Sequence, residues 1–147
     1  MLKTESLVTI NAPLEEVYSL AKRIEEFPEF MPDVKSVKIT KREGNNTVSE
    51  WVGYIKEFAR TMKWTEEDVW DDEAHTCKFK QLEGDFTKYE GLWQFEDSPE
   101  GTKVNLEIEF DYVVPLIGPL IKKLLTKLVK ANADNMLNAM KNKLEGK

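Results

Sequence analysis

The connections between residues 34 and 113 are too short to carry the chain back to the starting end of a strand. Segments 34–42, 47–56, 60–71, 75–83, 88–96 and 103–113 mix apolar and polar side chains in the manner of half-buried strands. Between them lie turns such as Glu43-Gly44-Asn45-Asn46, Asp71-Asp72-Glu73-Ala74 and Asp97-Ser98-Pro99-Glu100-Gly101. A parallel pair needs a crossover of about a dozen residues or more, so neighbouring strands here must pair antiparallel. Residues Thr4 to Asn11 alternate as well and add a seventh strand. The last strand shows the pattern most cleanly, with Val104, Leu106, Ile108, Phe110 and Tyr112 on one face and Lys103, Asn105, Glu107, Glu109 and Asp111 on the other. One face is wet and one must be covered.

The cover is written after Pro115. Leu116 to Glu145 reads as one helix of about 45 Å at ~1.5 Å per residue, longer than a typical strand. Its apolar residues Ile117, Ile121, Leu124, Leu125, Leu128, Met136, Met140 and Leu144 recur at helical spacing. Seven lysines against Asp134 and Glu145 give residues 116–147 a charge of +5, so residues 1–115 hold −11 of the chain's −6. Helix and body are electrostatically complementary.

Two shorter helices precede the strands. One is expected from about Pro13 to Ile24, with Val17, Leu20, Ala21 and Ile24 inward and Glu15 and Glu16 at its positive N-terminal end. In Glu25 to Pro32 two prolines limit a second to a turn or two, anchored by Phe27, Phe30 and Met31. The expected architecture is α+β, a curved seven-stranded antiparallel sheet wrapped around the long C-terminal helix, with two short N-terminal helices. A curved sheet and a straight helix leave space between them, and a cavity is the natural consequence.

With 147 residues, 41% of them hydrophobic, the chain is expected to form one domain, 1–147, without disulfides or metals. Cys77 is the single cysteine, which excludes an internal disulfide framework and a cysteine-based zinc site. No signal-peptide pattern opens the chain, so a cytoplasmic location is expected. Lys122, Lys123 and Lys127 interrupt the one stretch apolar enough to suggest a membrane span. The acidic body argues against nucleic acid as a partner.

Local sequence points to a family. Ile10-Asn11-Ala12-Pro13, Glu16-Val17-Tyr18 and Phe27-Pro28-Glu29-Phe30-Met31-Pro32-Asp33-Val34 resemble the opening of the START-like helix-grip superfamily, also written SRPBCC, in its polyketide cyclase/dehydrase and coenzyme-Q-binding branch. Leu82-Glu83-Gly84-Asp85-Phe86, Tyr89-Glu90-Gly91-Leu92-Trp93-Gln94-Phe95 and Gly101-Thr102-Lys103-Val104 are similar to that branch's turn, aromatic strand and final hairpin. The resemblance implies the helix-grip fold. It also implies a pocket for a lipid, isoprenoid/quinone or polyketide, which the protein binds, transports or chaperones, with no cofactor. Two alternatives stay open, a polyketide cyclase/aromatase-like enzyme and a protein-interaction module without a ligand.

Motifs for nucleophilic, metal or phosphate chemistry are missing. His75, in an acidic turn, is expected to be solvated, and Cys77 to be a small buried hydrophobe. Aromatic strand faces carry the ligand reading: Met62, Trp64, Phe79, Tyr89, Trp93, Phe95, Ile108, Phe110 and Tyr112 are expected to line the pocket, faced by Leu124, Leu128 and Asn132 of the helix. Asn135 is a further amide near the stripe, and Gly91 is expected to open volume or admit the helix. Arg60, Glu66 and Asp68 share parity with Met62, Trp64 and Trp70. They face inward in a regular strand, so either they sit at the pocket mouth, paired or solvated, or a bulge turns them outward, and exposure is favoured because unpaired buried charge is so unfavourable. Arg60, Glu66 and Tyr89 are the acid/base candidates if they do face the cavity. The basic helix is expected to be either a solvated face or, with Gly118-Pro119 as a hinge, a transient contact for anionic membrane.

Overall fold

The computed structural model describes residues 2–111 and 119–146, with side chains throughout except at 58 and 119–122. Strand β1 (Leu2–Ile10) leads through Pro13 into helix α1 (Leu14–Lys22). A 3-10 turn (Ile24–Glu26) and the short helix α2 (Phe27–Phe30) follow. The meander is β2 (Val34–Glu43), β3 (Asn46–Ile55), β4 (Arg60–Asp71), β5 (Thr76–Gly84), β6 (Lys88–Ser98) and β7 (Gly101–Asp111), and helix α3 (Pro119–Glu145) comes last. All seven strands form one antiparallel sheet in the order β1-β7-β6-β5-β4-β3-β2. The first strand closes on the last, Leu2 opposite Phe110 and Ile10 opposite Thr102. This is the expected helix-grip architecture.

The first helix is shorter than its pattern suggests because Arg23, at φ −86° and ψ 60°, leaves helical geometry and hands the chain to the 3-10 turn. Residues 112–118, with the expected end of the last strand, Tyr112 and the Gly118 hinge, lie outside the described residues.

Helix α3 packs most closely on β1. There the inward side chains of β1 include Thr4 and Ser6, both buried and small enough to admit a helix. Two lysines complete the junction. Lys130 Nζ donates to the Glu5 carbonyl at 3.0 Å and Lys141 Nζ to the Thr9 carbonyl at 2.7 Å. They cap the open side of an edge strand, which would otherwise offer its carbonyls to another chain. Part of the helix's positive charge is thus spent on backbone dipoles of β1. The buried face of α3 runs through Leu125, Val129, Ala133, Leu137 and Met140, while Leu124 is 39% exposed. The face is rotated from the expected stripe because α3 seats on the edge strand.

Candidate ligand-binding site

Because α3 leans on β1, the concave face of β3 to β6 curves away from it, and a void remains between them. Trp51, Met62, Trp64, Phe79, Tyr89 and Trp93 from the sheet and Val129, Asn132, Ala133 and Met136 from α3 are among its walls. The empty space between these side chains is about 920 Å³ including its opening to solvent. About 90 Å³ of it is free for solvent, roughly three times the ~30 Å³ that a water molecule takes up in the liquid. The smaller figure sets what fits without movement of the walls.

Ring packing shapes the apolar part. Trp51 and Trp64, opposite each other on β3 and β4, stack at 5.8 Å and 8°. Trp64 meets Tyr89 at 5.3 Å, and Phe86 stacks on Tyr89 at 4.7 Å. Phe86 comes from the β5–β6 connection, where Gln81 Nε2 donates to its carbonyl at 2.7 Å. Gly91 is an inward position whose missing side chain is replaced by the ring of Phe79, its cross-strand partner. A Cβ there would lie 2.5 Å from that ring and 2.0 Å from the Glu107 carbonyl oxygen. The expected gain of volume at Gly91 is therefore taken up by Phe79.

The polar part overturns the expectation that Glu66 and Asp68 are turned outward. A bulge does exist beside them, but it falls on β5: Thr65 pairs with Glu83 and Glu66 with Gln81, which leaves Leu82 unpaired and 51% exposed. Strand β4 keeps its alternation, so Met62, Glu66, Asp68 and Trp70 are all buried on the concave side. Glu66 is 5% exposed and Asp68 3%. Arg60, of the same parity, sits at the strand's end and is exposed, away from the void.

Burial of the two acids is supported by donors. Trp64 Nε1 donates to Glu66 Oε1 at 2.7 Å. Ser49 Oγ donates to Asp68 Oδ2 at 3.2 Å and Thr47 Oγ1 to the same oxygen at 3.5 Å, while Trp51 Nε1 donates to Ser49 Oγ at 2.8 Å. Glu66 and Asp68 also bond to each other. Desolvation, then the charge of Asp68, pushes the Glu66 carboxyl well above its usual range. Desolvation pushes Asp68 up as well, against the opposing hydrogen bonds from Glu66, Ser49 and Thr47. Burial and mutual repulsion disfavour ionising both of two adjacent carboxylates, and the bond between them is one in which a proton is shared. Tyr89 stays protonated, because burial and then the charges of Glu66 and Asp68 raise its hydroxyl.

Of the expected pocket residues, Met62, Trp64, Phe79, Tyr89, Trp93, Ile108 and Asn132 line the void. Phe95, Phe110 and Leu128 are buried in the core outside its lining, Phe95 against Tyr18 at 5.4 Å and Phe110 against Phe86 at 6.2 Å. Leu124 points to the surface, Tyr112 lies outside the described residues, and Asn135 donates to Asp33 Oδ2 at 3.0 Å. Trp51, Trp70, Phe86 and Ala133 line the void without having been singled out as lining. For Trp51 the alternation Ser49, Trp51, Gly53 carried the signal, and for Phe86 no periodic signal exists.

A second polar cluster closes one end of the grip. Tyr18 Oη donates to Asp72 Oδ1 at 2.7 Å, Lys22 Nζ at 3.0 Å, and Asn45 Nδ2 donates to Asp72 Oδ2 at 3.1 Å. His75 is not a free turn histidine. Its Nε2 lies 2.7 Å from Glu15 Oε1, its ring packs edge-on to Tyr18 at 4.9 Å, and its side chain is 19% exposed.

Sheet, gripping helix and enclosed void define a START-like helix-grip protein. The chain belongs to the polyketide cyclase / dehydrase and lipid transport family, whose pattern matches residues 10–137. A solved protein of Thermus thermophilus is 35% identical, with a TM-score of 0.89 over 99% of this chain and 97% of that one. The Zhui aromatase/cyclase of a Streptomyces species shares the fold at a TM-score of 0.86 and 19% identity, over 97% and 93% of the two chains. Among curated proteins, the ribosome association toxin RatA of Pseudomonas aeruginosa is 25% identical over 86% of this chain and 84% of its own. A Streptomyces cyaneus protein assigned by name to the polyketide cyclases is 22% identical over 97% and 93%.

Proposed function

We propose that the protein encloses an apolar small molecule, of the lipid, isoprenoid/quinone or polyketide kind, between the sheet and α3. The observation that carries this reading is the ring-walled void, left open inside an otherwise sealed core. Its free volume of about 90 Å³ is below the ~150 Å³ of a cavity that takes one benzene ring, so a single-ring molecule needs the side chains of the wall to give way, and a larger one requires α3 to move off the sheet or part of the ligand to extend through the opening. Toluene titrated against intrinsic tryptophan fluorescence should saturate and raise Tm, because a ligand bound to the folded state alone stabilises it. Ala133→Leu, which fills the void from α3, should abolish both effects. Absence of saturation in the wild type overturns the reading. Native mass spectrometry of protein purified from its host would then show the mass of the natural occupant.

A second reading is enzymatic and is supported by Glu66, an acid whose carboxyl burial pushes well above its usual range, at the wall of the void within a family named for polyketide cyclases. Glu66, aided by the Tyr89 hydroxyl, would move a proton during enolisation of a poly-β-ketone chain held by the rings. Glu66→Gln should then remove turnover of such a chain while its binding persists. Equal turnover by wild type and variant rejects this reading. The exposed Lys123, Leu124 and Lys127 of α3 are the described part of the patch proposed to touch anionic membrane. Flotation with anionic vesicles at low salt tests it, and recovery of all protein in the soluble fraction rejects it.

A further inference from the structure

No cation among the described residues faces the two carboxylates in the void. Among the described residues its lining contains no Lys, Arg or His, and its one further acid, Asp33, is bonded to Asn135. Hydrogen bonding at the pair is one-sided. Glu66 Oε1 accepts from Trp64, Asp68 Oδ2 accepts from Ser49 and Thr47, and the bond between the two carboxyl groups uses their shared proton. What the pair has left are lone pairs, so this end of the void accepts hydrogen bonds. The rings around it add to that preference, because the faces of Trp51, Trp64 and Tyr89 present negative quadrupole potential to whatever enters.

An uncharged hydrocarbon satisfies the walls and leaves the pair as it is. A carboxylate would bring a third negative group against two. An ammonium on a small apolar body supplies donors and a positive charge where both are lacking, and its desolvation is offset by the carboxylates and the ring faces together.

Resting on the reading of the void as a site for an apolar small molecule, we propose that the apolar body it takes carries an amine, with the ammonium seated against Glu66 and Asp68. Carboxylate-bearing molecules of the same size are excluded. Seating the cation ionises the pair, so the shared proton leaves as the ammonium enters. The titratable groups near the pair are Tyr89 on β6, Cys77 on β5 and Glu67 on the outer side of β4. From β3 it meets the hydroxyls of Ser49 and Thr47, and α3 contributes the amide of Asn132 to the same lining. Tyr89 and Cys77 are held protonated by burial, which leaves the carboxyl pair as the source of the proton.

The test is calorimetric titration of the full chain at neutral pH with benzylamine, toluene, acetophenone and benzoate, each in two buffers of different ionisation enthalpy. Benzylamine should bind tighter than toluene by roughly ten-fold or more, the scale of a desolvated cation–π and charge-assisted contact, and should release protons. Toluene should release none, and benzoate should not bind. Glu66→Gln should lower the proton release and narrow the gap between benzylamine and toluene. Toluene or acetophenone binding as tightly as benzylamine overturns the amine proposal and leaves the void as an apolar or carbonyl-binding site. Benzylamine binding without proton release overturns the seating at the pair. If none of the four binds, the reading of the void as a ligand site falls, and the proposal with it.

Discussion

Asp68 and Asp72 stand four positions apart, one on β4 and one just past its end, and their surroundings move them in opposite directions. Asp68, with Glu66 beside it, is enclosed by rings, and loss of water raises both carboxyls. Asp72 is open to solvent and collects three donors from two elements, Tyr18 on α1 first, then Lys22 of the same helix, with Asn45 of the β2–β3 turn also contributing. They lower its pKa from 3.8 to about 2. The same chemical group is a reactive liability in one place and a staple in the other. Donors alone do not decide it, since Asp68 also has three hydrogen-bond partners. Burial outweighs them.

The most sensitive way to break that contrast is Glu66→Gln, which keeps an amide donor toward Asp68 and an acceptor for Trp64 but removes the titration. A carboxyl whose folded pKa lies above its unfolded value contributes stability below the unfolded pKa and loses it as pH rises through the folded one. Wild-type stability should therefore fall as pH rises above 4.5, by up to about 1.4 kcal/mol per pH unit for one proton. Urea unfolding across this range should show a flatter curve for the variant. Parallel curves would mean that Glu66 is not raised. Next in size is Trp64→Phe, which strands Glu66 Oε1 and should cost about 1–3 kcal/mol for the lost donor alone, read as a lowered urea midpoint at constant m-value. Its counterpart at the rim, Tyr18→Phe, leaves Asp72 with Lys22 and Asn45 and should cost less, about 0.5–1.5 kcal/mol. A reversed order for these two would show that the rim cluster, not the buried pair, is the more tightly bound. The smallest effect belongs to Asp72→Asn. Here the folded pKa is depressed, so the contribution is present above 3.8 and fades as pH falls through about 2. The difference in Tm between variant and wild type should shrink over that interval.

Much of the site was readable along single strands. Alternation on β4 put Met62, Trp64, Glu66 and Asp68 on one face, and the structure keeps them there. The preference for an outward turn failed because the irregularity lies on the neighbouring strand, at Leu82, where a lone sequence shows only another apolar residue. Gly91 looked like free space until its partner Phe79 was known. Phe86 was unreadable, since a loop residue that folds back has no period. On α3 the apolar stripe was legible, but Leu124 and Leu125 are interchangeable to a periodicity argument. Contact with β1 buries one and exposes the other.

By itself the sequence determined the element order, the antiparallel pairing and the presence of a long covering helix. These rest on local quantities: turn length, the two-residue period of strands and the three-to-four-residue period of helices. Tertiary structure alone decided that α3 leans on the edge strand β1, that a void opens over β3 to β6, and that two carboxylates lie against it. Those outcomes depend on sheet curvature and on which distant side chains take up each space. Whether a given position is sealed from water is a property of its neighbours, not of its own place in the pattern.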